Sequence, residues 1–160
     1  MECLERRMKM ENSEDKIILM SIMSYYARQI FSGIKKYEFR ISPLKLCDLN
    51  KTIYVYSAKV DKAIIGSFVV KNIHKGNINE ILKITEYDKR QDRQEIVDYF
   101  KNVAVCYALE LTDINLFQNP LTLKQMRVFE PNIQLPQYYK YITKKSIIYN
   151  KIKQLKPVEN

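Results

Sequence analysis

Lys16 to Met23 (Lys-Ile-Ile-Leu-Met-Ser-Ile-Met) is a nearly continuous apolar run, the pattern of a strand buried on both faces. The pattern then changes. Tyr25, Tyr26, Ala27, Ile30 and Phe31 recur at helical spacing, with Ser24 placed to N-cap the helix and Gly33 to end it in a left-handed turn. From there Tyr37, Phe39 and Ile41 alternate with Lys36, Glu38 and Arg40. A period of two sends those sets to opposite faces, so the apolar set should anchor a strand. Lys36, Glu38 and Arg40 should then face outward together, with Lys35 beside them.

Further on, Thr52–Ser57 and Ala63–Ile73 read as strands, and Gly66 inside the second suggests a bulge or a close backbone approach. Asn77 with Glu80, and Asp92 with Glu95, resemble capping boxes ahead of two helices. The second helix carries Ile96, Val97, Tyr99 and Phe100 as core candidates. Ala104–Ile114 is another strand. Pro120, Pro131 and Pro136 should break the next stretch into loops, with one short strand or helical turn at Leu123–Phe129. From Tyr138 onward the tail reads as helix, with Ile142, Ile147, Ile148 and Ile152 as its apolar positions. The order is strand, helix, strands, two helices, strand, then an irregular tail. It predicts an α+β fold, a small mixed β-barrel with peripheral helices, rather than a doubly wound sheet. The expected division is a charged leader over residues 1–15, one domain over 16–143 and a basic tail over 144–160.

Charge adds a direction. Of the net +9, residues 33–62 contribute seven basic against three acidic groups, and residues 131–160 six lysines against Glu159. Residues 1–32 and 63–130 are balanced. The two basic segments hold the Gly33–Arg40 stretch and Tyr138-Tyr139-Lys140-Tyr141, so cations and aromatic rings are interleaved. That is the footprint of a protein that neutralises phosphates and stacks bases. The competing explanation is a lysine-favouring genome and a solubilising surface.

The remaining chemistry is sparse. Cys3, Cys47 and Cys106 lack paired spacing and His74 is the single histidine, so no metal or cofactor site is expected. Free thiols point to the cytoplasm, and no apolar run is long enough to span a bilayer. His74 reads as a turn residue and Glu110 as a rim carboxylate. Lys35 is a phosphate contact, a solvated lysine, or a base or nucleophile. Glu38 accepts from a base edge, acts as general base, or pairs with Arg40 or Lys36. Arg40 offers a planar fork for phosphate or stacking. Tyr25, Tyr138 and Tyr139 are stacking candidates, with Lys140 among the basic contacts.

Taken together, Ser21-Ile22, Tyr25-Tyr26-Ala27, Ile30-Phe31-Ser32-Gly33 and Lys35-Lys36-Tyr37-Glu38-Phe39-Arg40 resemble the ASCH family, a branch of the PUA-like β-barrels. Its Gly-x-Lys-x-x-Glu-x-Arg signature is met by Gly33, Lys35, Glu38 and Arg40. The flanks Ile53-Tyr54-Val55-Tyr56 and Ala63-Ile64-Ile65-Gly66-Ser67-Phe68 resemble the following strands. Leu135-Pro136-Gln137-Tyr138-Tyr139-Lys140-Tyr141-Ile142 is similar to the ending of a bacterial and phage subgroup. The resemblance implies a cleft beside the first helix, lined by the signature residues, that takes RNA or a single-stranded or modified nucleotide.

It also implies two enzymatic alternatives. One family type deacylates acetylated cytidine with the motif lysine and a threonine three residues later, where this chain has Lys35 and Glu38. Other members cleave RNA through lysine, tyrosine and serine, for which Tyr25, Tyr37 and Ser57 are available. Where relatives often have Lys-Pro, this chain has Met23-Ser24. A protein-interaction module of phage origin is the remaining alternative.

Overall fold

The structure is a computed structural model describing residues 16–159; the leader expected over 1–15 lies outside the described residues. Among the described residues, six strands and five α-helices follow in the order β1 (Lys16–Met23), α1 (Ser24–Phe31), β2 (Tyr37–Arg40), β3 (Thr52–Ala58), β4 (Ala63–Gly76), α2 (Ile78–Ile84), α3 (Arg93–Tyr99), β5 (Cys106–Thr122), α4 (Leu123–Phe129), β6 (Tyr139–Thr143) and α5 (Ile148–Lys153). The strands form one mixed sheet in the order β2-β5-β4-β3-β1-β6. The α+β class is as expected. Among the described residues the order is a row ending in β2 and β6 rather than a closed ring.

The chain divides into two compact units, and the long strands β4 and β5 contribute to both. Of the described residues, the first unit takes those up to Arg28, Thr52–Ser67, and those from Asn115 onward. In it β1 runs parallel to β3 and antiparallel to β6. A strand paired on both edges and covered on both faces needs an unbroken apolar sequence, and Ile17 to Ile22 are all buried. Ile17, Leu19, Tyr56, Ile64, Phe117 and Met126 share one core with Ile148, Tyr149 and Ile152 of α5. Ser24 does more than open a helix. Its hydroxyl accepts from the backbone N–H groups of Val60 (3.2 Å) and Asp61 (3.0 Å) and lies 2.7 Å from the Ala58 carbonyl, fastening α1 to the β3–β4 turn.

The second unit comprises Gln29–Lys51 and Phe68–Ile114. Its core joins Phe39 of β2, Ile81 and Leu82 of α2, Tyr87, Ile96 and Phe100 around α3, and Cys106 and Ala108 of β5. Here β2 pairs antiparallel with β5, Tyr37 opposite Glu110 and Glu38 opposite Leu109. Asn77 caps α2 as expected, accepting from the Glu80 N–H at 2.9 Å.

Four expectations are corrected. Asp92 makes no side-chain cap to α3, because the Arg90 guanidinium holds both its oxygens at 2.8 Å. Pro120 does not break the chain: it lies within β5. Tyr139–Thr143 is a strand rather than helix, since it pairs with Lys16–Met20 of β1. His74 sits in β4, not in a turn.

Candidate functional site

The signature stretch is set up by how α1 ends. Gly33 takes φ +83°, a conformation that carries a steric penalty for any residue with a Cβ. Its N–H reaches the Ile30 carbonyl (3.1 Å), and the N–H of Ile34 reaches that of Gln29 (3.0 Å), the paired bonds of a Schellman turn. Lys35 N–H also donates to the Gln29 carbonyl at 3.0 Å. Three donors on two carbonyls fold the chain back, so Lys35 approaches the strand that follows it.

The charged residues were expected to face outward together. Instead the strand begins only at Tyr37, Lys36 is exposed, and Ile41 lies past the strand end and is exposed. Lys35 and Glu38 are buried, 3% and 5% exposed. The Lys35 Nζ donates to Glu38 Oε2 at 2.8 Å, and Arg40 Nε stands 3.2 Å from Glu38 Oε1. One carboxylate therefore holds two cations, and the cluster carries a net charge of +1. Lys35 Nζ also lies 5.5 Å from the Phe39 ring centroid, a cation–π contact.

Tyr87 and Arg90, which carry no distinguishing mark in the sequence, stand beside this cluster with Tyr99, which was expected in the core and is 44% exposed. Tyr87 is 2% exposed, packs edge-on against Phe39 (5.0 Å between centroids), and carries the Arg90 guanidinium 4.1 Å over its ring. Its hydroxyl has no hydrogen-bond partner among the described residues. Burial pushes its pKa up to about 12, with the negative charges of Asp92, Glu38 and Glu95 adding to the effect and Arg90 opposing it. Arg90 also donates to the Ile34 carbonyl at 3.1 Å, tying the Tyr87–Lys89 turn to the Gly33 turn. Tyr99 feels both Arg40 and Glu38; burial is the main cause of its raised pKa.

A second group of titratable side chains belongs to the same unit. Glu110 of β5 meets His74 Nε2 at 3.1 Å through Oε2 and Lys71 Nζ at 3.3 Å through Oε1. The Tyr37 ring stands edge-on to His74, 6.0 Å between centroids. Burial pulls the Glu110 carboxyl upward, but hydrogen bonds from His74 and Lys71 and their charges outweigh it, so the net shift is downward. Burial first, then Glu110 and Glu86, raise the Tyr37 pKa, with Lys71 opposing. The sequence offered no signal for this grouping, because His74 and Glu110 are 36 positions apart and meet through strand pairing.

The other expected contacts lie in the first unit. Tyr25 is on α1, 56% exposed, with its ring against Tyr26. Tyr138 precedes β6 and packs edge-on against Tyr139, and Lys140 donates to the Gln134 carbonyl. Ser57 is buried and donates to Asp61 (2.7 Å), which also pairs with Arg28. Among the described residues, no group of three or more His, Cys, Asp or Glu side chains could hold a metal ion. Among them too, no helix is long and apolar enough to cross a membrane.

No family model matches the chain. It is 27% identical over 129 residues to an ASCH domain-containing ribonuclease of Zymomonas mobilis, covering 81% of this chain and 86% of that protein. The crystal structure of ASCH from Zymomonas mobilis matches with a TM-score of 0.75 and 26% identity, over 89% of this chain and 97% of that one. A serine-to-alanine variant of the same protein matches with a TM-score of 0.73 and 25% identity, over 87% and 96%.

Proposed function

The chain belongs to the ASCH domain family, and from that premise we propose that it binds single-stranded RNA through the Lys35–Glu38–Arg40 cluster and exposed Lys36. The observation that carries this reading is one buried carboxylate shared by a buried ammonium and a partly exposed guanidinium. A buried ion network is weak evidence of stabilisation, since desolvation offsets its Coulomb attraction. It does hold charged groups in fixed positions, which is what a phosphate site requires. Lys35 and Glu38 act as the positioning pair. Glu38 holds the Arg40 guanidinium by charge, and Arg40 and Lys36 meet the phosphates.

The relative is named as a ribonuclease, which supports RNA as the ligand class and favours a second reading, hydrolysis at the same cluster with Lys35 and Glu38 moving protons. Fluorescence anisotropy with a single-stranded RNA, a single-stranded DNA and modified nucleosides tests the first. Affinity for RNA should fall steeply from 50 to 200 mM salt. Arg40→Ala and Lys36→Ala should weaken binding and lower the salt slope by about 0.7 for each phosphate no longer neutralised. RNA affinity absent at low salt, or indifferent to salt, would refute the proposal.

A further inference from the structure

We propose that the groove at the C-terminal end of α3 holds one base of the bound strand and selects adenine over uracil. The inference rests on the reading that the ligand is single-stranded RNA, and it names the base that reading leaves open. The groove follows from how α3 ends. Lys101 N–H closes onto the Asp98 carbonyl (3.2 Å) and Val103 N–H onto that of Phe100 (3.0 Å), with Asn102 between them at φ +63°. Asparagine tolerates that left-handed conformation, which folds Val103 back toward the helix end. The result is a cavity of about 600 Å³ lined on its apolar side by Ile78, Val97, Phe100 and Val103, within the size range of small-ligand sites.

The polar rim selects the occupant. Asp98, Lys101 and Asn102 stand exposed around the apolar side, and among the described residues neither the Lys101 ammonium nor the Asn102 amide has a partner. Gln94 takes Oδ1 of Asp98 at 2.8 Å and leaves Oδ2 open. An apolar helix or a second copy laid on the groove would bury these groups unpaired, at a cost for each. A nucleotide pairs all three. Its base lies flat on the aliphatic side chains, and its phosphate meets Lys101. The two N6 hydrogens of adenine reach Asp98 and the Asn102 carbonyl, while the Asn102 amide donates to N7. Uracil instead turns carbonyl oxygens toward the carboxylate. The groove is also joined to the signature cluster. The Phe100 ring stands edge-on to Phe39, 6.1 Å between centroids, and Lys35 Nζ lies 5.5 Å from the Phe39 ring. Tyr99, 4.8 Å from Phe100, carries the exposed surface from the groove toward Arg40 and Glu38. A strand with one phosphate on Arg40 therefore brings a neighbouring base to the groove.

The test uses the full chain and fluorescence anisotropy with a labelled oligouridine and a strand of the same length carrying one central adenosine. The wild type should bind the adenosine strand about 10-fold tighter at the same salt concentration. Asp98→Ala, and Asn102→Gly, which keeps the turn, should each bring the ratio of the two affinities close to one. The ratio cancels the change in overall charge. Both positions are exposed, so circular dichroism should be unchanged. Arg40→Ala should weaken both strands and keep the ratio. Equal affinity for the two strands, or a preference that survives both rim variants, overturns the inference and leaves the RNA-binding proposal standing. Neither strand binding at low salt overturns both.

Discussion

Replacing Glu38 with Gln keeps the shape of the side chain and removes the charge that holds two cations. Its partner Lys35 is 3% exposed and its Nζ sits 2.8 Å from the carboxylate. At a charge separation of about 4 Å and an effective dielectric of about 20, the attraction removed is about 4 kcal/mol. Breaking a buried pair from one side costs about 3–5 kcal/mol, because the remaining charge stays desolvated. Against a typical domain stability of about 5–15 kcal/mol, that is a large share of the total.

The reverse deletion is milder. Lys35→Met leaves Glu38 with Arg40 Nε at 3.2 Å, so its cost should fall nearer 1–3 kcal/mol, roughly that of one charged hydrogen bond. The double variant Lys35→Met/Glu38→Leu should be less destabilised than Glu38→Leu alone, since no orphaned ammonium remains. Urea unfolding at constant m-value measures all three. A Glu38→Gln variant within about 1 kcal/mol of wild type would refute the argument, its threshold lying well under the buried-pair cost, as would strictly additive single and double variants.

Other consequences follow from particular contacts. Gly33→Ala meets open space at its Cβ but keeps φ +83°, so it should cost about 1 kcal/mol by thermal unfolding, and Gly33→Asn less. Thr122 accepts from Gln125 N–H at 3.1 Å in a complete capping box, and Thr122→Ala should cost about 1 kcal/mol in the same assay. The Asp61 carboxyl is held below its usual range, chiefly by the Arg28 hydrogen bond with help from Ser57. Its folded pKa is therefore depressed, so the stability it adds is fully present above about pH 5 and disappears as pH falls below about 4 toward the folded value. The difference between wild type and Asp61→Asn should shrink over that window; a difference constant with pH would contradict it.

What could be read from the sequence depended on whether the cause was local. β1 was legible to the residue because a strand covered on both faces leaves an apolar run that nothing else explains. For Leu123–Phe129 the sequence leaves a short strand and a helical turn both open, and the Thr122–Gln125 capping box is what makes it a helix. The tail misled for the opposite reason. Tyr139–Thr143 is a strand only because β1, more than 100 positions earlier, offers it an edge. Asn77 kept its cap and Asp92 did not, and the difference lies in Arg90, which takes both carboxylate oxygens. For the site, the spacing Gly33, Lys35, Glu38, Arg40 announced a charged cluster, and alternation assigned it the wrong environment. Burial of Lys35 follows from the Schellman turn that folds it back over the strand, and a period of two contains no information about that. His74 and Glu110 were read separately because their pairing belongs to β4 and β5 together.

The shortest strand decides how these two groups relate. Successive residues of β2 point to opposite faces, and the register sets Tyr37 against Glu110 but Glu38 against Leu109. The buried ion network and the open titratable group therefore occupy opposite faces of the β2–β5 pair. A slip of one residue would turn Glu38 toward the face of Glu110 and bring two carboxylates together, which is unfavourable, so the register is held from both sides. The Gly33 turn fixes where that register starts. Two faces with separate partners should respond separately: Arg40→Ala should weaken RNA binding, and His74→Ala should leave that affinity within about 0.5 kcal/mol of wild type. The affinity of the double variant should match that of Arg40→Ala within about 0.5 kcal/mol. A coupling well above that would mean the strand transmits between its faces, and that the two groups act as one site.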